Sequence, residues 1–120
     1  MSRTLVIKLT AGAEAPERAN QAFTVAGTAI ASGAEVSLWL TGDSVWFAVP
    51  GKADEFELPH AAPLTDLLAA VIAGGRLTVC TQCAKRRSLE QSDLVDGVRI
   101  AGSPAFTEEI LADGVQAIVY

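Results

Sequence analysis

The chain has 120 residues, half of them hydrophobic and 19% charged, with 9 Lys and Arg against 14 Asp and Glu for a formal net charge of −5. At that length a single domain over residues 1–120 is expected, hiding roughly two thirds of the surface its unfolded chain exposes. The composition excludes disorder, no apolar run reaches the about 20 residues of a membrane span, and the acidic balance argues against nucleic acid. The first seven residues, Met1-Ser2-Arg3-Thr4-Leu5-Val6-Ile7, offer no long apolar signal region, so a cytoplasmic location is expected.

Residues 4–10 form an apolar run rich in branched side chains that ends at Ala11-Gly12, the pattern of a buried strand. Pro16 suits the first turn of a helix, Ala19, Phe23, Ala26 and Ile30 fall at helical spacing, and Gly33 stops it. A second strand follows over residues 35–40, closed by Thr41-Gly42-Asp43. The stretch 44–60 has no clear period: residues 45–49 fit either a short helix or a strand, and Asp54, Glu55 and Glu57 read as a solvated loop. Pro63 opens the most regular helix, with Leu64, Leu67, Leu68, Val71 and Ile72 on one face before Gly74-Gly75. Residues 76–80 are a third strand, 81–89 hold a helical turn or two, and 98–101 are a fourth strand. Ser103 and Pro104 read as the N-cap and first turn of a helix running to about Asp113, and residues 115–120 as a fifth strand.

Strands alternating with helices imply βαβ units and a three-layer α/β/α sandwich around a mostly parallel five-stranded sheet. The near-continuous apolar strands fit a sheet covered on both faces. Sites in such folds gather where strands end and helices begin. Those edges carry Thr10-Ala11-Gly12, Thr41-Gly42-Asp43, Cys80 to Cys83, and Gly102-Ser103.

Only the third of these edges has evident chemistry. Cys80-Thr81-Gln82-Cys83 is a C-x-x-C in which a thiol at a strand end meets the unpaired N–H groups of a helix start, which favour the thiolate. Lys85, Arg86 and Arg87 follow directly and act in the same sense. The bland alternative is a pair of inert core cysteines. A structural zinc needs four Cys or His ligands, whereas the chain has two Cys and one His, so neither metal nor organic cofactor is expected. A permanent disulfide is disfavoured where thiols are kept reduced.

His60 lies in an unreadable loop and is expected to be exposed. Gly42-Asp43-Ser44 looks like the nucleophile block of lipase-like serine hydrolases, but it follows the second strand and no histidine comes after His60, so it reads as a turn with a helix N-cap. No phosphate-binding glycine motif occurs. Glu108-Glu109 reads as solvated helix surface, Trp39 as core or oligomer surface, and Trp46 and Phe47 are undecided between the two.

With Cys80 at a strand end and the basic pair Arg86-Arg87 six residues on, the segment resembles the DsrE/DsrF-like proteins, sulfur-relay subunits of the TusD/YchN type. The first strand and helix, the Pro63 helix feeding the cysteine strand, and the final helix and strand extend the resemblance over nearly the whole chain. It implies a parallel five-stranded α/β/α fold and a homo- or hetero-oligomer, often a trimer or hexamer. It also implies a cysteine, by position Cys80, that carries a persulfide. Two departures stand out: Ser88 replaces the glycine that usually follows the basic pair, and Cys83 is an addition.

Three functions follow. In the first, the protein is a sulfur carrier or sulfurtransferase subunit: the Cys80 thiolate attacks a persulfide on a donor protein, holds the sulfane sulfur and passes it to an acceptor protein thiol, with Lys85 or Arg86 stabilising the charge. The second is thiol–disulfide redox with Cys80 and Cys83 as attacking and resolving thiols. The third is a non-catalytic oligomeric interaction subunit.

Overall fold

The computed structural model describes residues 3–120; Met1 and Ser2, part of the stretch read for a signal region, lie outside them. Strands β1 (Thr4–Leu9), β2 (Glu35–Leu40), β3 (Arg76–Cys80), β4 (Val98–Ala101) and β5 (Val115–Val119) alternate with helices α1 (Pro16–Ala31), α2 (Leu64–Gly74), α3 (Thr81–Arg86) and α4 (Ser103–Leu111). The strands make one fully parallel sheet in the order β4-β3-β2-β1-β5, the α/β class expected. No helix among the described residues is long and apolar enough to cross a membrane.

That order decides which face each helix covers. From β1 to β4 the chain steps in one direction across the sheet, then β5 returns to the far side of β1. Right-handed crossovers therefore put α1 and α2 on one face and α4 on the other. The first face is apolar: Ile7, Leu9, Leu38, Leu40, Leu77 and Val79 pack with Phe23 and Ala26 of α1 and Leu64, Leu68 and Val71 of α2. Burying each large side chain there contributes about 1.5–3 kcal/mol before entropy is charged. The second face alternates in register with the first and is mixed, carrying Lys8, Ser37, Trp39, Thr78 and Arg99.

Helices α1 and α3 end in the same way. Gly33 (φ +93°) follows α1, with its N–H on the Ile30 carbonyl and the Ala34 N–H on the Ala29 carbonyl. After α3 the Ser88 N–H bonds the Lys85 carbonyl and the Leu89 N–H the Ala84 carbonyl. Both are Schellman motifs, which require one left-handed residue. Ser88 adopts it (φ +57°), so the departure from glycine leaves the turn intact.

Four expectations change. The unreadable stretch is two 3-10 turns, Gly42–Ala48 and Ala53–Glu55, the first of which buries Val45, Phe47 and Ala48. Ser44 caps no helix; its buried hydroxyl lies 2.7 Å from the Thr41 carbonyl and 3.0 Å from that of Leu9. Helix α4 is capped by Gly102 rather than Ser103, because the Gly102 carbonyl already accepts the Ala105 and Phe106 N–H groups, and the helix ends at Leu111. Strand β5, apolar like the others, is not covered on both faces; four of its five residues are exposed, since it is an edge that α4 only partly shields.

Candidate thiol site at the carboxyl edge of the sheet

Strand β3 passes the chain to α3, whose Cys83 and Ala84 join the core beneath α1 and α2, whereas β4 passes it to α4 on the opposite face. The carboxyl ends of β3 and β4 are thus where successive connections part, the place at which α/β sheets leave a crevice. Cys80 ends β3 there, in register with Ala101 at the end of β4.

Cys80 is half-buried and is the N-cap of α3. As a neutral thiol it closes no capping bond, and burial by itself would raise its pKa. The backbone N–H and thiol of Cys83, the N–H of Gln82 and the ammonium of Lys8 outweigh that and hold the Cys80 pKa below the ordinary thiol value. All four favour the thiolate, the nucleophilic form.

Lys8 is the residue that sequence reasoning missed. It sits on β1 in register with Trp39, which is in register with Thr78, so it shares the α4 face with the strand row leading to Cys80. Its Nζ lies 5.1 Å from the centroid of the Phe106 ring, which meets Trp39 edge to face at 5.3 Å. A cation over an aromatic face is held without a carboxylate partner, so its field stays available to a neighbouring anion. The available signal was a lone lysine within an otherwise apolar strand.

The other predicted residues distribute unevenly. Cys83 is buried beside Cys80 and its Sγ accepts the Gly42 N–H at 3.2 Å. Arg86 is exposed, with its Nη1 4.0 Å from the sulfur of Cys83 rather than that of Cys80. Lys85 is exposed on the last turn of α3. Arg87 is fixed by Asp43, through Nε at 3.0 Å and Nη2 at 2.8 Å, and by the Cys83 carbonyl at 3.0 Å. These contacts tie α3 to the loop after β2. At Gly12 a Cβ would lie 2.6 Å from the Asp43 carbonyl oxygen, so the loop after β1 meets the same junction through a residue that must lack one.

Beneath α4 lies a polar clamp that the reading of Glu108-Glu109 did not anticipate. Glu108 is exposed, but Glu109 turns inward and accepts the Ser37 hydroxyl at 2.6 Å, the Trp39 indole N–H at 3.0 Å, Arg76 at 3.3 Å and Arg99. Arg99 also donates to Thr78 Oγ1 at 2.7 Å and stacks over Trp39. Burial would raise the Glu109 pKa; the Ser37 and Trp39 bonds and the Arg99 charge instead hold it below the usual carboxylate value. The clamp docks α4 and so fixes Phe106 under Lys8. Trp39 is core, as is Phe47, whereas Trp46 remains 36% exposed. His60 is exposed in its loop, at φ +61°. Among the described residues, no three of His, Cys, Asp and Glu converge as metal ligands.

A sequence model of the DsrE/DsrF-like family matches residues 4–120. Uncharacterized protein MJ0989 of Methanocaldococcus jannaschii is 35% identical over 91 residues, 73% of this chain and 77% of that protein. Uncharacterized protein MK0008 of Methanopyrus kandleri is 33% identical over 91 residues, 73% of each chain. Uncharacterized protein MJ0760 of M. jannaschii is 27% identical over 95% of this chain, which spans only 42% of its length. In fold, the chain is similar to the crystal structure of the ychN protein from E. coli, with a TM-score of 0.75 at 19% identity over 98% of this chain and 99% of that one. It is also similar to MTH1491 from Methanobacterium thermoautotrophicum, with a TM-score of 0.74 at 12% identity over 99% and 100%.

Proposed function

Since the chain belongs to the DsrE/DsrF-like family, we propose that it is a sulfur-relay subunit that carries a persulfide on Cys80. The observation that carries this reading is a half-buried strand-end thiol with a lowered pKa at the sheet's switch point. The Cys80 thiolate attacks the terminal sulfur of a donor persulfide, forming Cys80–S–SH as the S–S bond of the donor breaks and the donor leaves as a thiolate. An acceptor thiolate then attacks that terminal sulfur and releases Cys80 as a thiolate. No net oxidation occurs and no cofactor is consumed. Lys8 and the Gln82 and Cys83 N–H groups support the negative charge on Cys80 before and after each transfer. Lys85 and Arg86, exposed at the far end of α3, suit contact with a donor or acceptor protein better than contact with the sulfur.

The test is intact-mass measurement after incubation of the reduced protein with a persulfide donor, followed by mapping of the modified residue. One added sulfur on Cys80, removed by a thiol acceptor and abolished in Cys80→Ser but retained in part in Cys83→Ser, is expected. Loading that survives Cys80→Ser refutes the assignment.

The closeness of Cys83 to Cys80 favours one alternative, a redox pair. That reading expects loss of two hydrogens with no added sulfur, and equal sensitivity to either substitution. For assembly, we propose an oligomer built on the α4–β5 side, where Leu111, Ile118 and Val119 are exposed and β5 leaves an open strand edge. Light scattering that returns a monomer mass refutes it.

A further inference from the structure

Between the loop after β1 and the Gly42–Ala48 turn lies an open pocket of about 430 Å³. Its lining includes neither cysteine, nor Lys8, nor any member of the Glu109 clamp. Trp46, Phe47 and Phe56 supply aromatic walls, with Phe47 and Phe56 edge to face at 5.6 Å. Around them stand three carboxylates, Glu14, Asp43 and Glu55, against the single lysine Lys52, which lies 3.7 Å from Glu55.

Two carboxylates are held in place but keep acceptor capacity. Glu14 Oε1 accepts the Gly12 N–H at 2.7 Å and Asp43 Oδ1 accepts Arg87, while Glu14 Oε2 and Asp43 Oδ2 have no partner among the described residues. A half-exposed indole, apolar rings and spare anionic acceptors are complementary to a flat, weakly hydrated cation that bonds along its edge and stacks on its face. Guanidinium has those properties, whereas ammonium is a compact and strongly hydrated point charge.

We propose that this pocket takes the guanidinium of an arginine side chain presented by a partner protein. The pocket adjoins the cysteine segment, because Asp43 bonds Arg87, which bonds the Cys83 carbonyl. A protein that docks there is positioned over the same edge of the sheet. The inference stands apart from the persulfide reading, and its test involves no sulfur transfer.

The chain has two tryptophans, Trp39 and Trp46, and their indole N–H signals in a proton–nitrogen NMR spectrum form a built-in comparison. Trp46 faces the pocket; Trp39 is locked on Glu109. Titration with N-acetyl-arginine amide is expected to shift the Trp46 signal saturably and leave that of Trp39 in place, with affinity about tenfold above that of the uncharged N-acetyl-citrulline amide. Glu55→Gln and Trp46→Leu, both surface substitutions, are each expected to weaken binding several-fold. Equal response to the citrulline compound, or no response at Trp46, overturns the proposal. Tighter binding of free L-arginine than of the blocked compound also overturns it, by making the occupant a small molecule.

Discussion

Ser88 holds a left-handed conformation that its chemistry does not favour. For a residue with a Cβ that conformation costs about 1–2 kcal/mol. Replacing it with glycine removes the cost but gives the unfolded chain extra freedom worth about 0.5–1 kcal/mol. Ser88→Gly is therefore expected to stabilise the protein by roughly 0.5–1 kcal/mol, or about 2–4 °C in Tm. Gly33 provides the reverse experiment in the same motif: φ is +93° and a Cβ there has nothing within 4 Å, so Gly33→Ser isolates the backbone term. It should cost about as much as Ser88→Gly gains. Urea denaturation followed by far-ultraviolet circular dichroism measures both, with an unchanged m-value showing that the surface exposed on unfolding is the same. A Ser88→Gly protein no more stable than the parent, or a Gly33→Ser protein that loses nothing, would refute the argument.

Other substitutions test the site. Lys8→Met removes the cation bearing on Cys80, so the pH profile of Cys80 alkylation by iodoacetamide should move to higher pH; overlaid profiles would exclude Lys8 from the site. Glu109 has a folded-state pKa below its unfolded value, so its contribution is present in full above the unfolded carboxylate pKa of about 4.3 and is lost as pH falls through the folded value. Stability of Glu109→Gln should thus depend less on pH in that acid window than stability of the parent, and parallel curves would show that the clamp is not charge-dependent. At neutral pH Glu109→Ala should cost about 2 kcal/mol, since it strands the Ser37 hydroxyl, the Trp39 indole and Arg99 without their acceptor. Gly12→Ala should cost about 1–3 kcal/mol by forcing a Cβ into the Asp43 carbonyl, and unaltered urea denaturation would mean that the two loops separate freely.

The five strands were legible because each is a branched apolar run with a glycine close to at least one end, a local signal. The 3-10 turns of residues 42–55 were not, since their side chains are buried by neighbours from α2 and β3 rather than by any period of their own. Cys80 could be singled out from a strand end next to a helix start. Lys8 could not, because β2 lies between β1 and β3, and only the strand order places that lysine on the way to the thiol. Glu109 shows the same limit: two adjacent glutamates look alike in sequence, and one residue of helical rotation separates the exposed Glu108 from a carboxylate with four donors. Basic residues beside the cysteines were visible, but α3 points them along its last turn while its first turn holds the sulfur.

The position of β5 also bears on how the molecule is assembled in time. Strands β1, β2 and β3 each pair with the next one in the chain, whereas β5 must find β1 across the whole intervening sequence, Thr4 opposite Val115. Loop-closure entropy makes that the costliest pairing, and the exposed strand gains little burial in return. A four-stranded intermediate with β1 as its open edge is then a natural stage of folding, and the last strand is the first to leave in the native state. Amide hydrogen exchange at Ile118 should outpace that at Leu38, and equal protection would mean that the sheet opens only as a whole. On this account Phe106, and with it the aromatic seat of Lys8, arrives late: the framework of the thiol can form before the groups that tune it.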